Sequence, residues 1–127
     1  MAGSWIIDQV SRLAEVCPEQ VAIEDSTEGV TTYLDLLSLA HSQARVLSKF
    51  GIEKGDLVVL QGELSLNQIV NYLALWSLEA AFCPIQKDVG AEYLDLIFKV
   101  TNAKLFISES NIQLLNQPGD CPPSEGL

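Results

Sequence analysis

Leu73-Ala74-Leu75-Trp76-Ser77-Leu78-Glu79-Ala80-Ala81-Phe82-Cys83-Pro84-Ile85-Gln86 is the stretch that decides the fold. An apolar helix passes almost without a loop into a short apolar strand, which Pro84 punctuates. The helix before it starts at Ser65, where Gln68 follows three residues later as in a capping box, and continues to about Glu79. Upstream, Leu57-Val58-Val59-Leu60 is a continuous apolar run of the kind a strand covered on both faces requires. The turn Lys54-Gly55-Asp56 leads into it. Ala81 to Ile85 reads as a second covered strand, at the centre of its sheet.

The same alternation continues downstream. Ala91 to about Val100 is a helix, and Lys104-Leu105-Phe106-Ile107-Ser108 a third strand. Strand, helix, strand, helix, strand with short joins predicts parallel pairing with right-handed crossovers. The expected class is therefore α/β: three layers, a mainly parallel sheet and flanking helices.

Three elements precede this unit. Trp5, Ile6, Val10, Leu13 and Ala14 have helical spacing over about Trp5 to Val16, with Ser4 as N-cap. Pro18 ends that helix, because the residue before a proline is pushed out of the α region. Val21-Ala22-Ile23 and Val30-Thr31 flank the polar turn Asp25 to Gly29 and predict a short hairpin. Thr32 caps a second helix with Asp35 at its third position; Tyr33, Leu36, Leu37, Ala40, Ala44 and Leu47 form the inner stripe. Gly51 follows Phe50, where a left-handed residue is cheapest as glycine. From Glu109 onward, Pro118, Gly119, Pro122, Pro123 and Gly126 describe a tail or linker, after one short helical turn at Ile112 to Leu115. Residues 1–108 are thus expected as one structured portion and 109–127 as an irregular tail.

Composition narrows the function. The 127 residues suit one small domain, with 48% hydrophobic and 19% charged residues. Seventeen acidic residues against seven Lys+Arg give a formal charge of −10. That balance argues against nucleic acid and anionic membrane surfaces, both of which are recognised by cations. Asp8, Arg12 and Glu15 interrupt the early apolar residues, unlike a signal peptide. Ile69 to Ile85 holds Asn71, Ser77 and Glu79, and is shorter and more polar than the about 20 apolar residues a membrane span needs. Cys17, Cys83 and Cys121 are widely spaced, with a single His elsewhere, so neither a disulfide framework nor a zinc site is indicated. A reducing cytoplasm fits this usage.

Taken together, these elements resemble the start of the adenylate-forming (AMP-binding) enzymes: acyl-CoA synthetases, luciferases and nonribosomal peptide synthetase adenylation domains. Thr32-Tyr33-Leu34-Asp35-Leu36 looks like the family's first core motif, usually Thr-Tyr-x-Glu-Leu. Gly51-Ile52-Glu53-Lys54-Gly55-Asp56-Leu57-Val58 resembles its Gly-Ile/Val-x-x-Gly-Asp-x-Val segment. Leu73 to Gln86 is similar to the second core motif, Leu-x-Ala-Gly-x-Ala-Tyr-x-Pro-Leu-Asp. The likeness runs from about Trp5 to Ser108. Glu79 departs from the usual glycine and Gln86 from the usual aspartate. Lys87-Asp88-Val89-Gly90-Ala91-Glu92 replaces the usual proline-containing segment.

The resemblance implies a parent reaction in which a carboxylic acid is activated with ATP and Mg²⁺ to an acyl-adenylate and then transferred to a thiol. It also implies that the ATP loop, rich in Ser, Thr and Gly and followed by Lys-Gly, and the later lysine-bearing domain belong to segments beyond this stretch. No catalytic, cofactor-binding or metal residue is carried over, and ATP and Mg²⁺ are expected only for a complete parent enzyme. The expected role is a non-catalytic N-terminal scaffold piece, a fragment or truncated product. The alternatives are a standalone interaction protein or one half of a split adenylating enzyme. Each implies a partner: the remainder of its own enzyme, a full-length relative, or itself.

Individual residues were weighed for chemistry of their own. Gly51-x-x-x-Gly55-Asp56 reads as a turn, because a phosphate loop needs Lys-Ser/Thr at a helix start whereas Asp56 enters a strand. Gln61-Gly62-Glu63-Leu64-Ser65 follows a parallel strand, where α/β sheets take ligands, but Glu63 would repel an anion and Ser65 reads as a cap. His41 belongs at the edge of a helix stripe with no nucleophile beside it. Cys83 reads as a buried small hydrophobe, and Trp5 and Trp76, on apolar helix faces, as core or interface packing residues.

Overall fold

The computed structural model describes residues 2–26, 29–109 and 111–115. The chain runs α1 (Ala2–Val16), β1 (Val21–Asp25), β2 (Gly29–Thr32), α2 (Tyr33–Lys49), β3 (Leu57–Gln61), α3 (Leu66–Ser77), β4 (Ala81–Ile85), α4 (Ala91–Thr101), β5 (Leu105–Ser108) and β6 (Asn111–Leu114). These form two units: one of the described residues up to Gly55 with Leu64–Ala80, the other of Asp56–Glu63 and the described residues from Ala81 onward.

The first unit is three helices and a hairpin. Ile7 of α1, Leu36 and Ala40 of α2, and Leu66, Val70 and Leu73 of α3 form its core. Each set recurs at helical spacing, so each helix buries one stripe. Asn71 is only 4% exposed and survives there because Gln43 Nε2 donates to its Oδ1 at 2.8 Å. The hairpin pairs Ile23 with Thr31 and Asp25 with Gly29, with an irregularity between Val21 and Ile23. Helix α1 already includes Ala2, so Ser4 lies within its first turn and is not the expected N-cap. Alanine, the strongest helix former, lets the helix begin earlier.

Helix α2 starts as expected, with Thr32 accepting the Asp35 amide at 3.2 Å. Its end is a Schellman turn: Ile52 N–H donates to Leu47 O at 3.2 Å and Gly51 N–H to Ser48 O at 2.9 Å, with Gly51 at φ +91°. Helix α3 ends by the same geometry. Ala80 N–H donates to Leu75 O at 3.0 Å and Glu79 N–H to Trp76 O at 3.0 Å, but the left-handed residue is now Glu79, at φ +58°. The helix therefore stops at Ser77, two residues before the expected end. Glu79 O also accepts the Gly55 amide at 3.0 Å, and its carboxylate lies 3.6 Å from the Lys54 amine.

The second unit holds a sheet ordered β4-β3-β5-β6. Strand β3 is parallel to both β4 and β5, and Val58, Val59 and Leu60 are wholly buried. Helix α4 covers the Val59 face, where Leu94, Ile97 and Phe98 meet Val59, Ala103 and Phe106. The rings of Phe98 and Phe106 pack edge to face at 5.1 Å. Where the strands begin, Lys104 Nζ lies 3.3 Å from Asp56 Oδ2.

Two expectations are corrected in this sheet. Strand β4 is not central but an edge among the described strands, and none of its residues is fully buried. Proline has no N–H to donate, so Pro84 suits an edge, and β3 takes the centre. Ile112–Leu115 is not a helical turn. Asn111 to Leu114 form β6, antiparallel to β5, with Ser108 opposite Asn111 and Glu109 in the connecting turn at φ +56°. The exposed edge of β5 offers ladder hydrogen bonds that an isolated four-residue helix cannot match. Residues 116–127, with the prolines of the expected tail, lie outside the described residues.

The two Schellman turns differ in one residue, and that difference is measurable. Relieving the left-handed strain at Glu79 outweighs the loss of an exposed ion pair with Lys54. Glu79→Gly is expected to stabilise the chain by about 0.5–1 kcal/mol, read as a rise of the thermal midpoint on the order of 3 °C.

Candidate functional site

In the first unit, the start of α3 is where backbone amides are free to receive an anion. The chain fills the position itself. The Leu66 amide donates to Asp25 Oδ2 at 3.1 Å, reaching across from the hairpin, and the Gln68 amide donates to Ser65 Oγ at 3.4 Å. Ser65 is a cap, as its spacing suggested. The carboxylate beside it was not legible, because Asp25 reads locally as a turn residue.

The second unit has a groove of about 610 Å³ at the C-terminal ends of its strands. Gly62, Cys83, Pro84, Ile85, Gln86, Val89, Tyr93 and Ile97 line it. Gly62 sits at φ +140° and its amide donates to Ile85 O at 3.2 Å, so the end of β3 is held against the end of β4. Gln61 Nε2 donates to the carbonyls of Gln86 and Lys87 at 3.2 and 3.3 Å, and Ser108 Oγ donates to Gln61 Oε1 at 3.5 Å. These bonds fasten three parallel strands where their side chains leave the sheet.

The charge here is acidic. Lys87 Nζ lies 3.0 Å from Glu63 Oε1. The hydrogen bond and charge of Glu63 push the Lys87 amine above the ordinary lysine range, with Asp88 and Glu109 adding to the effect.

His41 is exposed on α2. Cys83 is half-buried and lines the groove instead of sitting in the interior, because β4 is an edge strand. Trp76 is half-buried with Tyr72, ring centres 6.1 Å apart, whereas Trp5 is 65% exposed and is not a core residue. It lies on α1 away from the stripe led by Ile7. Gly55 has φ +87° and serves the turn into β3. Cys121 lies outside the described residues. Among the described residues no group of three or more His, Cys, Asp or Glu is placed to hold a metal ion, and no helix is long and apolar enough to cross a membrane.

A family model described as AMP-binding enzyme matches residues 10–124. The chain belongs to the AMP-binding enzyme family. Bacitracin synthase 1 of Bacillus licheniformis is 37% identical over 91 residues, which are 72% of this chain and 2% of that protein. A fatty acyl CoA synthetase of Mycobacterium tuberculosis superposes with a TM-score of 0.74 at 30% identity, over 84% of this chain and 21% of that one. The N-terminal subdomain of Klebsiella oxytoca NpsA, solved with anthranilyl-AMSN, matches in fold with a TM-score of 0.74 at 24% identity, over 82% of this chain and 27% of that one. The chain thus spans a small part of the length of its AMP-binding relatives.

Asp25 occupies an amide at the start of α3, and Lys87 is bonded to Glu63 within an acidic cluster. Among the groove's lining residues, none carries a positive charge.

Removing the Asp25 carboxylate leaves the Leu66 amide without that acceptor. Asp25→Ala is expected to cost about 1 kcal/mol, seen as a lower urea midpoint at unchanged slope. The Lys87 pair has a definite pH sign. A raised lysine contributes stability that is fully present below its ordinary range and is lost as pH rises through the raised value. In an NMR titration, the Lys87 amine should lose its proton at a higher pH in the native chain than in Glu63→Gln. Coincident curves would rule out the Glu63 pairing.

Proposed function

We propose that this chain is an N-terminal scaffold portion of an adenylate-forming enzyme and supplies no catalytic group to the activation step. The observation that carries this reading is the self-occupied start of α3. In open α/β sheets the strand-to-helix turn is the usual ligand position, and here Asp25 and Ser65 accept two of its amides, those of Leu66 and Gln68. Family membership and the likeness to the NpsA N-terminal subdomain support the placement.

In a complete parent enzyme, ATP and a carboxylic acid would give an acyl-adenylate and pyrophosphate before transfer to a thiol. On this reading the groups that bind ATP and Mg²⁺ come from other segments. The contribution of this chain is mechanical. Hydrogen bonds among Gln61, Gln86, Lys87 and Ser108 hold the strand ends in fixed register, so residues mounted on them by a larger domain start from a rigid edge.

ATP–pyrophosphate exchange with a panel of amino, aryl and fatty acids tests this. The purified chain should give no exchange above the enzyme-free blank, and calorimetry with ATP and Mg²⁺ no saturable heat. Saturable, acid-dependent exchange by this chain alone would overturn the proposal.

A further inference from the structure

Strand β3 ends on Gln61, which lies in register with Ile85 of β4 on one side and Ser108 of β5 on the other. Two residues after Val59, its side chain leaves the sheet on the face that α4 covers. Beyond Ile85 the carbonyls of Gln86 and Lys87 have no ladder partner in β3. Gln61 Nε2 donates to both, at 3.2 and 3.3 Å. Carbonyls only accept, which fixes the amine side of the carboxamide toward them and leaves Oε1 to take the Ser108 hydroxyl at 3.5 Å.

The two residues that follow continue the seam. Gly62 N–H donates to Ile85 O at 3.2 Å, and Glu63 Oε1 lies 3.0 Å from Lys87 Nζ. Val89 N–H returns to Gln86 O at 3.4 Å, so the second loop is closed on the same carbonyl that Gln61 holds. Residues 61–63 thus meet residues 85–87, and Gly62, Gln86 and Val89 of this seam line the groove. The ion pair is the contact that most needs support. The Lys87 and Glu63 side chains are 65% and 74% exposed, and a pair in water gains little against the freedom its two long side chains lose. Here the backbone is already held on both sides, by the Gly62 amide before Glu63 and by the carbonyl of Lys87 itself.

We propose that Gln61 is the positioning residue of this seam: its carboxamide joins the loop after β3 to the loop after β4 as one unit and thereby sets Glu63 against Lys87. The inference deepens the mechanical part of the scaffold reading and rests on contacts within the second unit. Its readouts involve no ATP. Exchange activity would overturn the scaffold reading and leave the seam standing, whereas independent motion of the two loops would do the reverse.

Gln61→Met keeps the length of the side chain and removes its amide without adding charge. Three carboxylates act on the Lys87 amine: Glu63 from the loop after β3, Asp88 from its own loop and Glu109 from the β5–β6 turn. By NMR, the Lys87 amine of Gln61→Met should titrate at a lower pH than in the native chain, toward that of Glu63→Gln. In the Gln61→Met/Glu63→Gln double variant the first substitution should add no further shift, because it acts through Glu63. Hydrogen exchange of the Gly62 and Val89 amides should quicken at least about fivefold. The Ala81 and Lys104 amides, bonded where the strands begin, should keep their native rates. Ser108→Ala removes only the hydroxyl that orients the carboxamide; it should move each readout the same way by less, and it decides the matter should methionine disturb folding. An unchanged Lys87 titration in both variants, a shift that persists in full without Glu63, or equal quickening of the Ala81 and Lys104 amides would overturn the proposal.

Discussion

Strand β3 cannot exist alone. Val58, Val59 and Leu60 are removed from water on both faces, so every amide and carbonyl between them has to find its partner within the sheet. Parallel strands on both sides, β4 and β5, supply those partners. Parallel neighbours cannot be joined by tight turns, which is why the chain passes through α3 before β4 and through α4 before β5. The buried run thus dictates the alternation on which the second unit is built. The Lys104–Asp56 pair and the Lys104 amide bond to Leu57 O at 2.8 Å fix the register where those strands begin.

The Schellman turns allow each helix to give way quickly to the next segment. Both use the same pair of returning amides, and both place one residue in the left-handed region. At Gly51 that conformation is free of a side-chain penalty. At Glu79 the side chain incurs that penalty, at φ +58°. Two local contacts accompany it, the carbonyl accepting the Gly55 amide and the carboxylate near Lys54.

The acidic surplus has two distinct consequences. Asp25 acts inward, as an acceptor for a helix that would otherwise present a free amide. Glu63 pairs with Lys87, and Asp88 and Glu109 add negative charge around it. In both places the chain's own carboxylates satisfy the positive groups.

The sequence by itself determined the helices and the strands as far as β5, because those follow from periodicity, caps and proline within a few residues. Thr32, Ser65, Gly51 and the run from Val58 to Leu60 each act through neighbours in the chain. It also determined the family, since ordered motifs survive substitutions at Glu79 and Gln86. Only the tertiary structure decided which strand is central, since apolar content does not distinguish β3 from β4. It paired Asn111–Leu114 with β5, where short local sequence suggested a helical turn. It brought Asp25 to the start of α3 from 41 residues away, left Trp5 exposed, and opened the groove beside Cys83. Those outcomes depend on which surfaces meet in space, and spacing along one chain does not encode that locally.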